Sequence, residues 1–375
     1  MRKFITRFFN KILSFVRRIT LNSTGRKRVL MSYVLFPPPP FDFNFFFDIS
    51  HNRYLCCYMM CEVLKKRGYR IDIYDYQDTA VDFTPPYDIF IGHNKTFHLI
   101  ADKLDSKCKK ILLTTGSGPD YDNEILLTRQ ADIQKLKNTT DRFFSPITDT
   151  AWAINNFRSA DYVFMIGNDS TRRTWPFIDK VKVSFYNNLT NVVFRKKNDR
   201  TDNFLYLSSV GQLRRGLDIL IEVFKGRQEK IYICGPYQEP AFMEHFSEEL
   251  SSSPNIILKG FMDQTSTAFL SIVTDCTFGI LPSVSEGQSG SVLTMMSYGL
   301  IPVITPQNGF ENVEEYGINI PAANFLNVKN AVKEALALSD EKLEQKRLNL
   351  LTENEKFTSD FFKRTFEKFI SSIDR

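Results

Sequence analysis

Short apolar runs, each closed by a turn and followed by a stretch of helical period, recur along most of the chain, and this alternation leaves few folds open. RVLMSYVLF reads as a buried strand, residues 53–66 (RYLCCYMMCEVLKK) as an apolar helix ending near Gly68, and RIDIYDY, YDIFIGH, KKILLTTG, DYVFMIGN and VKVSFYNN continue the series. Strands of unbroken apolar character separated by helices predict a parallel sheet covered on both faces. A polar, charged stretch at 196–203 (KKNDRTDN) interrupts the pattern, which restarts with NFLYLSSVG, LDILIEVFKG, KIYICGP, NIILKGF, CTFGILPS and IPVITP. The length agrees, since 375 residues exceed one ordinary core and suit two domains of roughly 150 residues each. Two doubly wound α/β domains in tandem are expected, over 26–197 and 198–350. In such sheets ligands sit beyond the carboxyl ends of the strands, so the loops that follow the strands are where chemistry belongs.

Apolar residues at 43% and charged residues at 24% exclude wholesale disorder. The six cysteines form no CxxC pair, which argues against a zinc framework and for reduced core thiols of a cytoplasmic protein. The net charge of +5 is unevenly placed: residues 1–28 carry nine Lys/Arg and no acid, whereas the remaining 347 residues carry 39 bases and 43 acids. A generally basic nucleic-acid-binding surface is thereby disfavoured. In the leader, apolar Phe4, Ile5, Phe8, Phe9, Ile12, Leu13, Val16 and Ile19 alternate at helical spacing with basic residues, predicting a basic amphipathic helix over 1–25. Such a helix suits the headgroup plane of an anionic membrane; a helix packed on its own domain and a transit peptide share the pattern. The longest uncharged stretch, Gly287 to Phe310, carries four Gly and two Pro and reads as buried loops and a core helix. FPPPPFDFNFFFDISHN, with four consecutive prolines and six Phe, reads either as core filling between the domains or as an aromatic loop at the cleft.

The segment ILPSVSEGQSGSVLTMMSYGLIPVIT, residues 280–305, concentrates the chemistry. A strand ends at Pro282, a polar loop carries Glu286, and a helix is expected to start near Ser289. Gly287 and Gly290 let the backbone approach a ligand, the helix start offers free N–H groups to an anion, and a carboxylate one loop away can accept both hydroxyls of a ribose. Together these features describe a nucleoside diphosphate cradle.

The run S-E-G-x-x-x-S-V-L-x-x-M-x-x-G-x-I-P-V resembles the nucleotide-sugar site of GT-B glycosyltransferases, in particular the retaining family-four (group 1) type. The resemblance extends from residue 28 onward and is strongest from 204 to 320. It implies two Rossmann-like domains facing across a cleft, with a terminal helix (351–375) crossing back to the first. It implies that Glu286 binds the donor ribose and that Gly287, Gln288, Ser289, Gly290 and Ser291 flank the sugar and phosphates. The family's second carboxylate falls at Thr294 here, a departure from its pattern. SSVGQLRRGLD, residues 208–218, resembles the family's glycine turn and diphosphate-gripping Lys-Gly pair; Gly211 makes the turn, Arg215 takes the Lys position and Arg214 stands beside it. His93, directly after YDIFIG, matches the cleft histidine that contacts the transferred sugar; His98 and His51 are alternatives. Gly116, Asn123 and Arg129, with His51, are the acceptor-side candidates. Gly116 and Gly118 lack the third glycine of a dinucleotide fingerprint.

The implied activity is retaining transfer of a hexosyl-like group from a nucleoside diphosphate sugar to a saccharide or lipid-linked saccharide hydroxyl, with His93, Arg215 and Glu286 as catalytic residues. It needs no metal and no cofactor beyond the sugar nucleotide, and no nucleic acid partner. The leader points to cell-surface polysaccharide or glycolipid assembly at the inner face of a membrane. The rival expectations are a non-catalytic nucleotide-sugar-binding scaffold of the same fold and another GT-B enzyme such as a sugar-nucleotide epimerase.

Overall fold

The computed structural model describes residues 18–35, 52–84, 86–175, 181–190, 199–236 and 239–374. Residues 1–17 of the leader and most of the Pro/Phe-rich segment, His51 included, lie outside them. The first domain is a seven-stranded sheet of β1 (Arg18–Leu21), β2 (Lys27–Tyr33), β3 (Tyr69–Asp75), β4 (Ile89–His93), β5 (Lys109–Thr114), β6 (Tyr162–Ile166) and β7 (Lys182–Tyr186), ordered β1-β3-β2-β4-β5-β6-β7. Every pairing is parallel except β1 on β3. Its helices are α1 (Asn52–Lys66), α2 (Phe97–Ala101), α3 (Pro119–Lys137), α4 (Ala151–Ser159) and α5 (Asp169–Arg172). The order reverses between β2 and β4, so the crevice of this sheet opens beyond the end of β4, at His93.

The second domain is an all-parallel sheet of β8 (Phe204–Leu207), β9 (Ile231–Cys234), β10 (Ile256–Gly260), β11 (Phe278–Leu281), β12 (Ile301–Ile304) and β13 (Ile318–Asn319), ordered β10-β9-β8-β11-β12-β13. It carries α6 (Leu217–Phe224), α7 (Pro240–His245), α8 (Ser247–Ser252), α9 (Thr267–Thr274), α10 (Gly290–Ser297), α11 (Val313–Tyr316), α12 (Phe325–Leu336) and α13 (Asp340–Asn354). Here the order reverses between β8 and β11, whose following loops carry Arg214, Arg215 and Glu286. The crevices of the two sheets face each other.

Three departures from the sequence reading have physical causes. Arg18–Leu21 is a strand, not the end of a leader helix. Asp72 on β3 is fully buried, and β1 helps to satisfy it: Thr20 donates to Asp72 (2.6 Å), as do Arg28 (2.8 Å) and Tyr87 (3.1 Å). The stretch around Pro119 and Asp120 begins a 19-residue helix, α3, with Pro at its first turn and Asp120 and Asp122 at its positive end. Leu126, Ile133 and Phe143, on α3 and the segment after it, pack into the core of the second domain rather than the first. The cap of α5 is Asn168, whose side chain accepts from the amides of Ser170 and Thr171.

The last helix, α14 (Ser359–Ile373), returns to the first domain. Its Phe spacing buries Phe362, Phe366, Phe369, Ile370 and Ile373 in the core formed by α1 and the sheet, with Phe164 stacked on Phe369 at 4.6 Å between centroids. Asp374 finishes the docking by accepting from Arg67 (2.8 Å) and from the Tyr69 hydroxyl. Phe366 is fully buried against Phe164, so Phe366→Ala is expected to lower stability by about 3–5 kcal/mol in urea unfolding. A loss under about 1 kcal/mol would mean that the helix is not docked as described.

Candidate active site

The reversal points of the two sheets enclose a cavity of about 340 Å³. The first domain lines it with His93, Asn94, the strand end and turn Leu112–Ser117, Asp122, Trp152, Asn156 and Trp175. The second lines it with Arg214, Arg215, Ser285, Glu286 and Gly287. Its size falls at the lower end of ligand pockets, roughly 300–1,000 Å³.

Four charges face one another across it. Arg215 Nη1 lies 2.7 Å from Glu286 Oε1. The contact is coulombic, because Oε1 has no aligned hydrogen-bond donor. Arg214 Nη1 lies 3.0 Å from Asp122 Oδ2, reaching from the second domain to the first. Asp122 also accepts from the Ser285 hydroxyl. Burial pushes the Glu286 carboxyl above the usual carboxylate range, against the pull of Arg215 and then Arg214. Both arginines are thus neutralised by carboxylates that a diphosphate could replace.

His93 ends β4 and points Nδ1 at the Leu113 carbonyl, 3.2 Å away. A carbonyl can only accept, so Nδ1 carries the proton in the neutral ring and Nε2 is left as an acceptor. Tyr33 and Tyr76 pack edge-on against the ring at 5.4 and 6.0 Å. Burial lowers the pKa of His93 below 6.5 despite the Leu113 contact.

Glycines set how closely the domains approach. A Cβ on Gly287 would stand 2.8 Å from Ile166 Cγ2 and 3.2 Å from Gly116 Cα, so this close approach requires Gly287. The Ser117 hydroxyl donates to the Glu286 carbonyl across the same seam (2.9 Å).

Of the residues expected from sequence, His93, Gly116, Arg214, Arg215, Glu286 and Gly287 meet in this cavity. Ser289 caps α10 by position, its buried hydroxyl unpartnered, and Gly290 and Ser291 begin the helix. Thr294 lies in α10, hydroxyl to the Gly290 carbonyl (3.0 Å). Others are engaged elsewhere. Gln288 accepts from the Asn188 amide (2.6 Å) and donates to Asn187 (2.7 Å), tying the domains together. Gly211 has φ +93 and makes the expected turn, but the turn's amides serve the chain itself: Gln212 N donates to both Glu239 oxygens at 3.1 Å. Asn123 exchanges hydrogen bonds with the backbone of Ile147 (2.9 and 2.8 Å), Arg129 is buried against Asp218, and neither lines this cavity. His98 is not the cleft histidine, because Asn156 holds its amide and its ring, each at 3.0 Å. Sequence reasoning missed Asp122, Trp152 and Trp175.

Residues 201–338 match the family model described as Glycosyl transferases group 1. No curated protein matches the chain. Among solved structures, sucrose-phosphate synthase from Thermosynechococcus elongatus aligns over 93% of this chain and 99% of its own, with 12% identity and a TM-score of 0.65. Anabaena HepE in complex with UDP and glucose aligns over 92% and 99%, with 11% identity and a TM-score of 0.57. A mutant of S. aureus TarM, in complex with fondaparinux, alpha-GlcNAc-glycerol and UDP, aligns over 74% of this chain with 14% identity and a TM-score of 0.52. The chain spans 54% of the length of TarM. The shared fold is GT-B.

The Arg129–Asp218 pair is buried on both sides, at 9% and 5% side-chain exposure. Asp218→Ala removes the buried partner and leaves the Arg129 guanidinium to the exposed Asp132 (3.4 Å), and is expected to cost about 3–5 kcal/mol. Replacing the pair together, Arg129→Met with Asp218→Leu, is expected to restore most of it in urea unfolding. An equal loss in single and double variants would show that packing, not the stranded charge, dominates.

Proposed function

We propose, from the match of residues 201–338 to the group 1 glycosyltransferase model and from the GT-B fold, that the protein transfers a glycosyl group from a nucleoside diphosphate sugar to a saccharide hydroxyl, with retention of anomeric configuration. One observation carries the reading: Arg214, Arg215 and Glu286, at the reversal point of the second sheet, face His93 at the reversal point of the first across one cavity.

The donor diphosphate takes Arg215 and Arg214, displacing Glu286 and Asp122 from them, with the free amides at the start of α10 beside it. As the bond from the anomeric carbon to the phosphate oxygen breaks, negative charge grows on the leaving diphosphate and the two guanidiniums stabilise it. Glu286, freed from Arg215, accepts from donor hydroxyls, and its charge opposes the positive charge that develops on the sugar ring. His93, its Nδ1 proton held by Leu113, offers Nε2 to a hydroxyl of the transferred sugar. The acceptor hydroxyl enters on the face the phosphate leaves, and a phosphate oxygen takes its proton. The arginines meet the leaving charge without a metal ion.

The five bases of residues 1–17 (Arg2, Lys3, Arg7, Lys11 and Arg17) support a peripheral position on an anionic membrane surface, on its cytoplasmic side, and a role in polysaccharide or glycolipid assembly. No helix among the described residues is long and apolar enough to cross a membrane.

Arg215→Ala is expected to reduce turnover roughly 100-fold or more. Glu286→Ala is expected to weaken the thermal shift given by whichever of UDP, GDP or ADP, or their sugar conjugates, the wild type binds. Nucleotide binding with no turnover on any acceptor would favour a binding scaffold, and full activity in Arg215→Ala would remove that residue from the mechanism. The depressed His93 pKa has its own signature. The folded state disfavours the protonated ring, so the contribution is fully present above about 6.5 and is lost as pH falls through the lower folded pKa. Unfolding free energy and kcat/KM are therefore both expected to decline on the acid side, and in His93→Gln that limb of the stability curve should flatten. An unchanged limb would assign the titration to another group.

A further inference from the structure

The mechanism leaves one charged group beside the arginines without a task. The turn after β8, Gly211 to Leu213, is built like an anion nest. Its carbonyls are taken by the amides that follow: Gly211 by Arg215 (3.1 Å), Gln212 by Leu217 (3.1 Å) and Leu213 by Gly216 (3.2 Å). The amides of the same three residues serve a carboxyl brought from another loop, that of Glu239 after β9. Gln212 N donates to both of its oxygens at 3.1 Å. Burial pushes this carboxyl above its usual range, against the pull of the Gln212, Gly211 and Leu213 amides and then of Arg214. Glu239 directly precedes α7, yet its side chain does not cap that helix. Among the described residues, three carboxylates thus stand around two guanidiniums: Glu286 on Arg215, Asp122 on Arg214, and Glu239 on the turn that leads into both.

We propose that Glu239 is a built-in occupant of the anion nest beside Arg214 and Arg215, and that it limits how tightly this site holds a diphosphate. The inference rests on the glycosyl-transfer reading and adds to it a residue that sets affinity. A carboxylate and a phosphate compete for the same outward amides. The nest and the guanidiniums are joined: a Cβ on Gly211 would lie 3.5 Å from Arg214 Cβ, and Arg215 Nε donates to the Val210 carbonyl (3.3 Å). A diphosphate on the two arginines therefore stands next to the charge of Glu239. Glu286 and Asp122 rest on those guanidiniums and can be exchanged for the ligand, whereas Glu239 rests on backbone amides and keeps its place. Its repulsion falls unequally on donor and product. A nucleoside diphosphate ends in a free phosphate and carries about one more negative charge than its sugar conjugate. Glu239 thus opposes the leaving product more than the incoming donor, which favours release after transfer.

The full chain and its Glu239→Ala and Glu239→Gln variants are titrated by calorimetry with UDP, GDP and ADP, then with the glucose conjugate of whichever the wild type binds, and with inorganic pyrophosphate. Glu239→Ala is expected to tighten the diphosphate and pyrophosphate roughly tenfold and the sugar conjugate less. Glu239→Gln, which keeps an acceptor oxygen for the amides and loses the charge, is expected to shift affinity in the same direction. A purely structural role predicts the reverse, with binding weakened in Glu239→Ala as the turn loosens and restored in Glu239→Gln. Cooperative urea unfolding of each variant shows that it folds. The inference is overturned if Glu239→Ala binds the diphosphate and pyrophosphate no tighter than wild type, or if the sugar conjugate gains as much as the diphosphate. Failure of the donor reading looks different: no nucleotide would bind the wild type or either variant, and pyrophosphate, which needs no base, would still report on the nest.

Discussion

A cationic side chain drawn into the joint between two domains needs a carboxylate beside it, and the contacts between these two domains meet that condition repeatedly. Arg129 of α3 finds Asp218 at the start of α6, and Lys137, one helix face further on, finds Glu249 of α8. Arg214 reaches back to Asp122. All three contacts use α3, whose apolar face lies in the second domain's core. The helix therefore belongs to the first domain by chain and to the second by packing. A cleft closed in this way keeps its floor, the seam of Gly116 against Gly287, at backbone contact distance.

Most of the sheet architecture was legible in sequence because parallel strands buried on both faces must be apolar throughout, and short apolar runs between turns suit few elements besides such strands. RVLMSYVLF, YDIFIGH, NFLYLSSVG and CTFGILPS each hold the strand expected of them. What was not legible lies where a long-range partner decides the local structure. Arg18–Leu21 continues a helical pattern but is drawn into the sheet beside buried Asp72, about fifty positions away. The helix from Pro119 was hidden because its apolar face is spaced for the other domain's core.

The site divides along the same line. Glu286, Arg214, Arg215 and Gly287 lie in loops fixed by adjacent strands, where strand ends, glycines and the family resemblance had pointed. Asp122 is an ordinary acidic residue in the first turn of a helix until Arg214 and Ser285 arrive from the second domain. Gln288 and Arg129 are engaged otherwise. Their polar side chains sit near the right loops, yet they are consumed by the joint between domains.

The glycine turn after β8 shows why arginines rather than backbone amides carry the charge here. In many anion sites a glycine-rich turn aims its N–H groups at phosphate. In this chain the amides of Gln212, Gly211 and Leu213 all act on the carboxyl of Glu239, which burial alone would push further above its usual range. The turn is already filled by an anion from its own domain, so a diphosphate must be gripped by side chains. Arg214 and Arg215 follow directly in sequence, and each is held by a carboxylate that the stronger, doubly charged ligand can displace. Recognition then becomes an exchange of partners. On the proposed reading, the ion pairs keep the cleft neutral without the donor, and the donor is bound by the difference between two sets of ion pairs rather than by bare positive charge.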